Sequence, residues 1–546
     1  LHDYIDHIET PKIMMNTNIG SQLPRQGERL PSEISFLILV LFLFMQACKP
    51  AEKPSPKPNI VIFYVDDLGY GDLGCYGGDL VQTPFLDSFS KTGILFTDAH
   101  SVAATCTPSR YSMLTGEHAF RNNATILPGD APLIIPTEKP TLPTMLKKAG
   151  YTTAVVGKWH LGLGDGNVDW NGEVKPGPLE IGFDYSFLLP STGDRVPTVY
   201  LENHKVVNLN PNDPITVSYS KKLEGYPNGL DSPLLMRQRA DPQHANTIVN
   251  GISRIGYMSG GKDALWRDED FPEVFSDKAN QFISKNSDMP FFLFFSFHDI
   301  HVPRVPNEKF DGKSPMGKRG DAITQMDWTT KQVVAHLKAM NLLENTIIIF
   351  TSDNGPVLND GYHDLADSLI GGHKPWGPYR GGKYSAYEAG TRVPMIVAWP
   401  GTISPQTSDA LMSQIDFYRT FAALLGVPLA ETEAIDSEDH LAALTGKSTT
   451  GREWMLEESY TFSARQKNWK YIAPIAADKK IPDWMANKGV ESGLGNAPQL
   501  FNLANDPGEQ KNVADSLLEF VGRMDEYIKS VVQKNKRTDV KRSGER

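Results

Sequence analysis

Two short stretches place adjacent polar oxygens directly after apolar runs: "FYVDDLGYGD", with Asp66 and Asp67, and "IIFTSDNG", with Asp353 and Asn354. Neighbouring carboxylates repel unless a cation joins them. Three carboxylates and an amide oxygen form a hard donor set that suits Ca²⁺, or secondarily Mg²⁺, rather than zinc. Either pair alone would serve as well to cap a helix or a turn. Two such pairs after two separate buried runs read as one cation site. "AVVGKWHLG" ends a third apolar run with Lys158 and His160, alternating around Trp159 so that both face one side. A lysine and a histidine there can hold an anion and move a proton. "FFSFHDIHVP" adds His298 and His301, and "YRGGKYSAYEAG" adds Lys383 in a glycine-flanked loop. Together the cation, the lysines and the histidines point to cleavage of an anionic ester.

Cys106 stands in "SVAATCTPSRYSML", a small-residue loop leading into a helix whose first turn suits Pro108. Its side chain should lie near free backbone N–H groups at the positive helix end, where a thiolate nucleophile is favoured. A buried apolar cysteine, or a partner for Cys75, would account for it equally well. An all-oxygen cation site prefers an oxygen nucleophile to sulfur, so a reactive Cys106 would have to be converted first.

The elements that must position these groups alternate between short apolar runs and amphipathic stretches, an α/β pattern. Residues 59–65, 152–157, 290–297, 345–352 and 393–400 read as strands buried on both faces, as parallel strands are. "TLPTMLKKAG" (141–150) reads as a helix with a glycine stop. Ligands of open parallel sheets bind outside the carboxyl ends of the strands, where the charged clusters fall. The expected fold is a large, mixed, mostly parallel sheet sandwiched by helices over 59–424. A smaller α+β subdomain with an antiparallel sheet follows over 425–535, with a polar tail at 536–546. "REWMLEE", "QKNWKYIAPI" and "PQLFNLAN" supply strands of the smaller sheet, and 516–533 a closing helix.

The chain has 546 residues, a formal net charge of -11 and three cysteines. An acid excess without a long basic run argues against nucleic acid as partner. Three cysteines are too few for a disulfide framework. Phe36–Met45 is an apolar stretch too short to span a membrane as a helix, but it fits the core of a signal peptide. It reaches Ala47-Cys48 and a Pro/Lys-rich stretch, so residues 1–48 read as an export segment and 49–58 as a tether. That order resembles a bacterial lipoprotein cleavage site with Cys48 as the lipidated residue. Met45 replaces the usual leucine, and a simple cleaved signal peptide is the alternative. The expected location is the periplasm or outer membrane of a Gram-negative bacterium.

Cys106-Thr107-Pro108-Ser109-Arg110, continuing to Leu114-Thr115-Gly116, resembles the modification signature of type I, formylglycine-dependent sulfatases of the alkaline phosphatase superfamily. "GYTTAVVGKWH" (150–160) resembles the family's second signature, and "LFNLANDPGEQKNVA" its C-terminal motif; the likeness runs from about Asn59 to Val513. It implies an alkaline phosphatase-like fold, and a maturation enzyme that oxidises Cys106 to formylglycine, an aldehyde that hydrates to a geminal diol. It also implies that Asp66, Asp67, Asp353, Asn354 and the modified residue 106 bind Ca²⁺, and that one diol hydroxyl attacks sulfur. Lys158 and Lys383 would offset charge on the sulfuryl oxygens, and Arg110 would hold the diol oxygen. His301 would help protonate the leaving alcohol, with His298 as second choice, and His160 would take a proton as sulfate is expelled. Related phosphonate and phosphodiester hydrolases share Cys-x-Pro-x-Arg but carry a histidine after the metal-binding aspartate, where this chain has Asn354. A non-catalytic binder of sulfated glycans would lack parts of this machinery, and none is missing here. Loops 190–204 and 361–382 carry Arg195, His204, His363, His373 and Trp376, types suited to sugars. Arg195, His373 and His298 are the substrate-binding candidates. Sulfated galactose or N-acetylgalactosamine of host or algal glycans is the expected substrate.

Overall fold

Strand β1 (Asn59–Val65) shows why the sheet is buried on both faces. Ile60, Ile62 and Tyr64 pack into one apolar layer, while Val61, Phe63 and Val65 pack into another. Strictly alternating side chains cannot produce that unless both faces are covered. The computed structural model describes residues 57–476 and 480–534, which lie in one compact unit. The export segment, Cys48 and the polar tail fall outside the described residues, as does the tether up to residue 56.

The large sheet has ten strands. Five neighbours run parallel: β6 (Thr346–Ser352), β1, β5 (Phe291–Ser296), β3 (Thr152–Lys158) and β4 (Tyr185–Leu189). Beyond β6 come β7 (Met395–Ala398) and β2 (Ile94–Phe96), and short edge strands close both sides. One correction concerns β7, expected to be parallel like the others, which pairs antiparallel with both β6 and β2. A run buried on both faces is apolar whatever its direction, so composition carries no sign of it.

Helix α1 (Cys106–Thr115), α2 (Leu142–Lys148) and α5 (Phe417–Leu425) cover one face; α3 (Phe271–Lys285) and α4 (Gly317–Ala339) cover the other. The start of α2 is fixed by a reciprocal cap, with the Thr141 hydroxyl accepting from Thr144 N and Thr144 reaching back. Its end is fixed by Gly150 at φ +84°, a conformation a Cβ disfavours. The smaller sheet is antiparallel in the order β8 (Trp454–Glu458), β9 (Phe462–Gln466), β10 (Trp469–Ile472) and β11 (Gln499–Asn502). Helix α6 (Leu518–Gln533) buries Met524 and Ile528 against Leu456, Ala464, Tyr471 and Leu500. Strand β9 was not anticipated, because its run holds Ser463, Arg465 and Gln466, which mask the apolar alternation.

Candidate active site

Parallel register brings the strand ends together. Val65 pairs with Ser352, Tyr64 with Ser296, and Ser296 with Gly157. The residues that follow therefore converge: Asp66 and Asp67 after β1, Asp353 and Asn354 after β6, and Lys158 at the end of β3. All five are fully buried. Lys158 Nζ donates to Asp66 Oδ2, and Lys383 Nζ donates to Asp67 at 2.9 Å. Asn354 Nδ2 donates to Asp67 Oδ1 at 2.7 Å. Two acceptors, Asp66 Oδ1 and Asn354 Oδ1, are buried without a hydrogen-bond partner. Asp66, Asp67 and His301 can also bring one ligand atom each within 4.8 Å of one another. Burial and the neighbouring Asp353 push the Asp66 carboxyl up to about 6, and burial also raises Asp67. Crowded oxygens, two of them orphaned, form a donor set that a hard divalent cation would complete.

Cys106 opens α1 as its first residue, after Thr105 in extended conformation and with no side-chain cap on the free N–H groups. Its Sγ lies 3.2 Å from His160 Nδ1. His160 itself stands at φ +54°, its carbonyl held by the Thr107 hydroxyl at 3.0 Å. Its Nε2 is 3.1 Å from the Leu127 carbonyl, which can only accept, so Nε2 carries the proton and Nδ1 is the free acceptor. Burial, then the Lys158 charge, holds His160 well below the usual imidazole range. The expectation of a thiolate at Cys106 is corrected: burial raises the thiol above its ordinary value despite Lys158 and Lys383, so desolvation outweighs the helix end. Cys75 and Cys106 are both free thiols, which removes the disulfide alternative.

His301 sits near this floor with Nδ1 2.5 Å from the Val302 carbonyl and Nε2 3.9 Å from Asp67 Oδ2. Its Nδ1 therefore donates, and burial with Lys383 and Lys158 keeps the ring neutral. Arg110 has partners other than those expected. Its guanidinium binds Asp353 Oδ2 through Nε at 3.0 Å and Nη2 at 2.7 Å, and Ser296 through Nη1, over the Tyr64 ring. In this structure it holds Asp353 in place.

A cavity of about 660 Å³ lies over the floor, lined by Cys106, His160, His301, Lys383 and Arg195 among others. Two substrate-binding candidates, His373 and His298, do not line this cavity. His373 Nε2 bonds Asp72 Oδ1 at 2.8 Å within the buried Asp72–Arg319 pair and does not line the cavity. His298 is buried behind Gly193, and burial pushes it down to about 3. His204 is tied to Glu180 at 2.9 Å, and neither His363 nor Trp376 lines the cavity. The sequence reading missed Asp194, His244, Asp360, Tyr384, Tyr460, Trp484 and Lys488, all of which line it. Asp194 joins Arg195 at 2.7 Å and His244 at 3.5 Å, and His244 also meets Asp241 at 2.7 Å. Burial opposes charge on His244, but Asp194 and Asp241 outweigh it and raise the ring to about 9. Asp360 bridges Lys383 at 3.1 Å and Lys488 at 2.7 Å. The adjacency of Asp194 to Arg195 and the three-residue spacing of Asp241 and His244 were visible signals; the pairings of Asp194 with His244 and of Asp360 with Lys383 and Lys488 join residues far apart in sequence.

The family description "Sulfatase" matches residues 58–427, and "N-sulphoglucosamine sulphohydrolase, C-terminal" matches 381–534. The chain is 49% identical over 481 residues to an N-acetylgalactosamine-6-O-sulfatase of Bacteroides thetaiotaomicron, covering 87% of this chain and 93% of the relative. It is 30% identical to human arylsulfatase D, covering 89% and 88%. Among solved structures, a Bacteroides thetaiotaomicron protein labelled "6S-sulf", described with the metabolism of multiple glycosaminoglycans, superposes with a TM-score of 0.85. Its identity is 49%, over 87% of this chain and 99% of that one. The PsFucS1 sulfatase from Pseudoalteromonas sp. superposes at 0.66 with 27% identity, over 93% and 95%.

Proposed function

The chain belongs to the type I, formylglycine-dependent sulfatases and is a sulfuric-ester hydrolase acting on sulfated glycans, and from that premise we propose that it removes 6-O-sulfate from N-acetylgalactosamine or galactose residues. The observation that carries this reading is Cys106 on the cavity floor at the start of α1. His160 lies 3.2 Å away, and the orphaned oxygens of Asp66 and Asn354 are in the cluster beneath. The specificity for a 6-sulfate rests on the 49% identical relative.

The residues fit a Ca²⁺ ion held by Asp66, Asp67, Asp353, Asn354 and the modified residue 106, with Mg²⁺ the less suitable ion. When bound, it supplies positive charge for the sulfuryl oxygens, and a formylglycine at 106, made by a maturation enzyme, supplies the oxygen nucleophile. The chain's own groups do the rest. His160 Nδ1, bare and beside position 106, is placed to take a proton from it. Lys158 and Lys383, each paired with a floor carboxylate, are placed to offset charge on the sulfuryl oxygens of an incoming sulfate. His301 keeps Nδ1 on the Val302 carbonyl, so it must gain a proton at Nε2 before it can give one to the leaving oxygen. The negative charge of a bound sulfate ester favours that gain against the two lysines. Asp194, Arg195 and His244 form a fixed polar wall for sugar hydroxyls.

Export to the periplasm or outer membrane of a Gram-negative bacterium is part of this reading, supported by Phe36–Met45 and Ala47-Cys48. Labelled fatty acid should enter the protein and be lost on Cys48→Ala; unlabelled wild type would leave the cleaved signal peptide. The central test is a panel of 6-O-, 4-O- and 3-O-sulfated sugars given to enzyme matured with the modifying enzyme. Turnover confined to 6-O-sulfates, with an aldehyde or its hydrate at residue 106 by peptide mass spectrometry, is expected. Turnover of phosphonate monoesters or phosphodiesters but of no sulfate, or no turnover at all, would overturn it.

A further inference from the structure

Residues beyond β8 contribute an aromatic wall to the cavity that no role above uses. Tyr460, Phe462 and Trp484 line it, with Lys488 beside them. Trp484 packs against two rings set steeply to its own: its ring centroid lies 4.9 Å from that of Tyr384 at 76°, and 6.3 Å from that of Tyr460 at 67°. Lys488 Nζ is 5.8 Å from the Trp484 centroid. Despite these contacts Trp484 remains 36% exposed, whereas Tyr384 beside it is 7% exposed. A rigid indole left open at a cavity whose floor is fully buried offers an apolar platform at little further entropic cost, since its neighbours already fix its rotamer.

Its position relative to the chemistry is set by two steps. Lys383 Nζ lies 5.4 Å from the Tyr384 ring centroid, and the next ring step of 4.9 Å reaches Trp484. The platform therefore stands within about 10 Å of the group that meets the sulfate, a reach that includes a linked second ring. Its charge argues the kind of ring. Lys488 is committed to Asp360 at 2.7 Å, and Asp360 also holds Lys383 at 3.1 Å and the Tyr384 hydroxyl at 3.0 Å. With those charges paired to one another, the wall presents aromatic surface rather than a free cation for a second sulfate.

We infer that Trp484, flanked by Tyr460 and Tyr384, forms a second saccharide position that stacks the apolar face of an unsulfated pyranose linked to the sulfated residue. This inference rests on the proposed sulfated-glycan reading. It makes the enzyme a reader of a glycan end at least two residues long, with the second residue supplied by the part of the chain after β8.

The test compares a 6-O-sulfated monosaccharide with a di- or trisaccharide ending in the same sulfated sugar, using full-length matured enzyme. For wild type, kcat/KM should be higher on the longer substrate. Trp484→Ala should lower kcat/KM on the oligosaccharide about tenfold more than on the monosaccharide, mainly through KM, as loss of one stacking contact of about 1.4 kcal/mol would. Trp484→Phe should recover most of the difference, which separates lost stacking from a disturbed fold. Equal losses on both substrates, or no loss on either, would overturn the second position while leaving the sulfatase reading intact. Failure of wild type to cleave any sugar sulfate would instead overturn the reading on which it rests. A preference of Trp484→Ala for oligosaccharides carrying a second sulfate would show that the wall selects against charge only and takes no stacked ring, which also overturns it.

Discussion

Two buried clusters of charge in this protein look alike by composition and behave in opposite ways. The first is the floor of the cavity, with Asp66, Asp67, Asp353 and Asn354. The second joins the small sheet to segments beside the large one: Asp98 and His100, which follow β2, and Glu388 from the loop before β7 meet Glu457, Arg465 and Lys470 of the small sheet. Both bring three acidic or imidazole ligand atoms within reach of one another. In the joining cluster the carboxylates are answered by protein cations. Arg465 reaches Asp98 and Glu388, Lys470 reaches Glu457, and Arg392 reaches both Asp98 and Glu388. These cations outweigh burial and hold Asp98 and Glu457 well below the usual carboxylate range. Glu509, buried there with Glu388 and Glu457 nearby, is pushed well above it and keeps its proton. On the cavity floor Lys158, Lys383 and Arg110 also pair with the carboxylates, yet Asp66 and Asp67 are raised rather than lowered. Both clusters keep buried acceptors without a hydrogen-bond partner, Asp66 Oδ1 and Asn354 Oδ1 on the floor and Glu388 Oε2 and Glu509 Oε1 in the joining cluster. What sets the floor apart is that its own cations do not offset burial at Asp66 and Asp67, so that added positive charge would be favourable there.

The sharpest way to break this contrast is to remove the reactive residue over the cavity floor and, separately, one cation of the joining cluster. Cys106→Ala should abolish turnover, a fall of at least about 10⁴-fold, with the thermal midpoint close to wild type. Arg465→Met should do the reverse, costing about 3–5 kcal/mol in denaturant titration while leaving turnover per folded molecule near wild type. If Arg465→Met lost activity without losing stability, the two clusters would not be separable. A second test uses substrate chemistry on the floor. His301→Ala should slow sugar sulfates by about 10²- to 10⁴-fold but a nitrophenyl sulfate far less, because that leaving group needs little protonation. Equal losses would remove the acid role.

Metal addition probes the orphaned oxygens. Ca²⁺ at about 100 times its Kd should stabilise the protein by about 2.7 kcal/mol, read as a rise in thermal midpoint. Asp353→Asn should blunt that rise, whereas Glu388→Gln should lower the baseline and keep the rise. An equal rise with Zn²⁺ would contradict the hard-ion assignment. The smallest effect concerns His244, whose pairing with Asp194 and Asp241 resembles the joining cluster although it lines the cavity. Its folded value, about 9, lies above the ordinary 6.5, so its contribution is complete below pH 6.5 and is lost as pH rises through 9. Wild type should lose on the order of 1–3 kcal/mol between pH 6.5 and 9.5 beyond what His244→Gln loses, measured by urea titration. Parallel pH curves for the two proteins would show that the imidazolium adds nothing.

The strands ending in Asp66, Asp353 and Lys158 were legible because local sequence sets them: an apolar run long enough for a strand, then an abrupt polar end. The same locality made Cys106 legible as a helix-start residue, and its signature carried the family. Strand direction was not legible at β7, because an interior strand is apolar whichever way it runs. Nor were the partners of the charges. Arg110 turned to Asp353, 243 residues away, and His373 to Asp72, 301 residues away, because the burial that decides which charges must pair exists only once distant segments pack. The sequence by itself determined which groups can do chemistry and on which elements they stand. Tertiary structure decided which of them meet, which titrate away from their ordinary values, and which oxygens remain open, because desolvation and long-range contact are properties of the packed chain and of no segment alone.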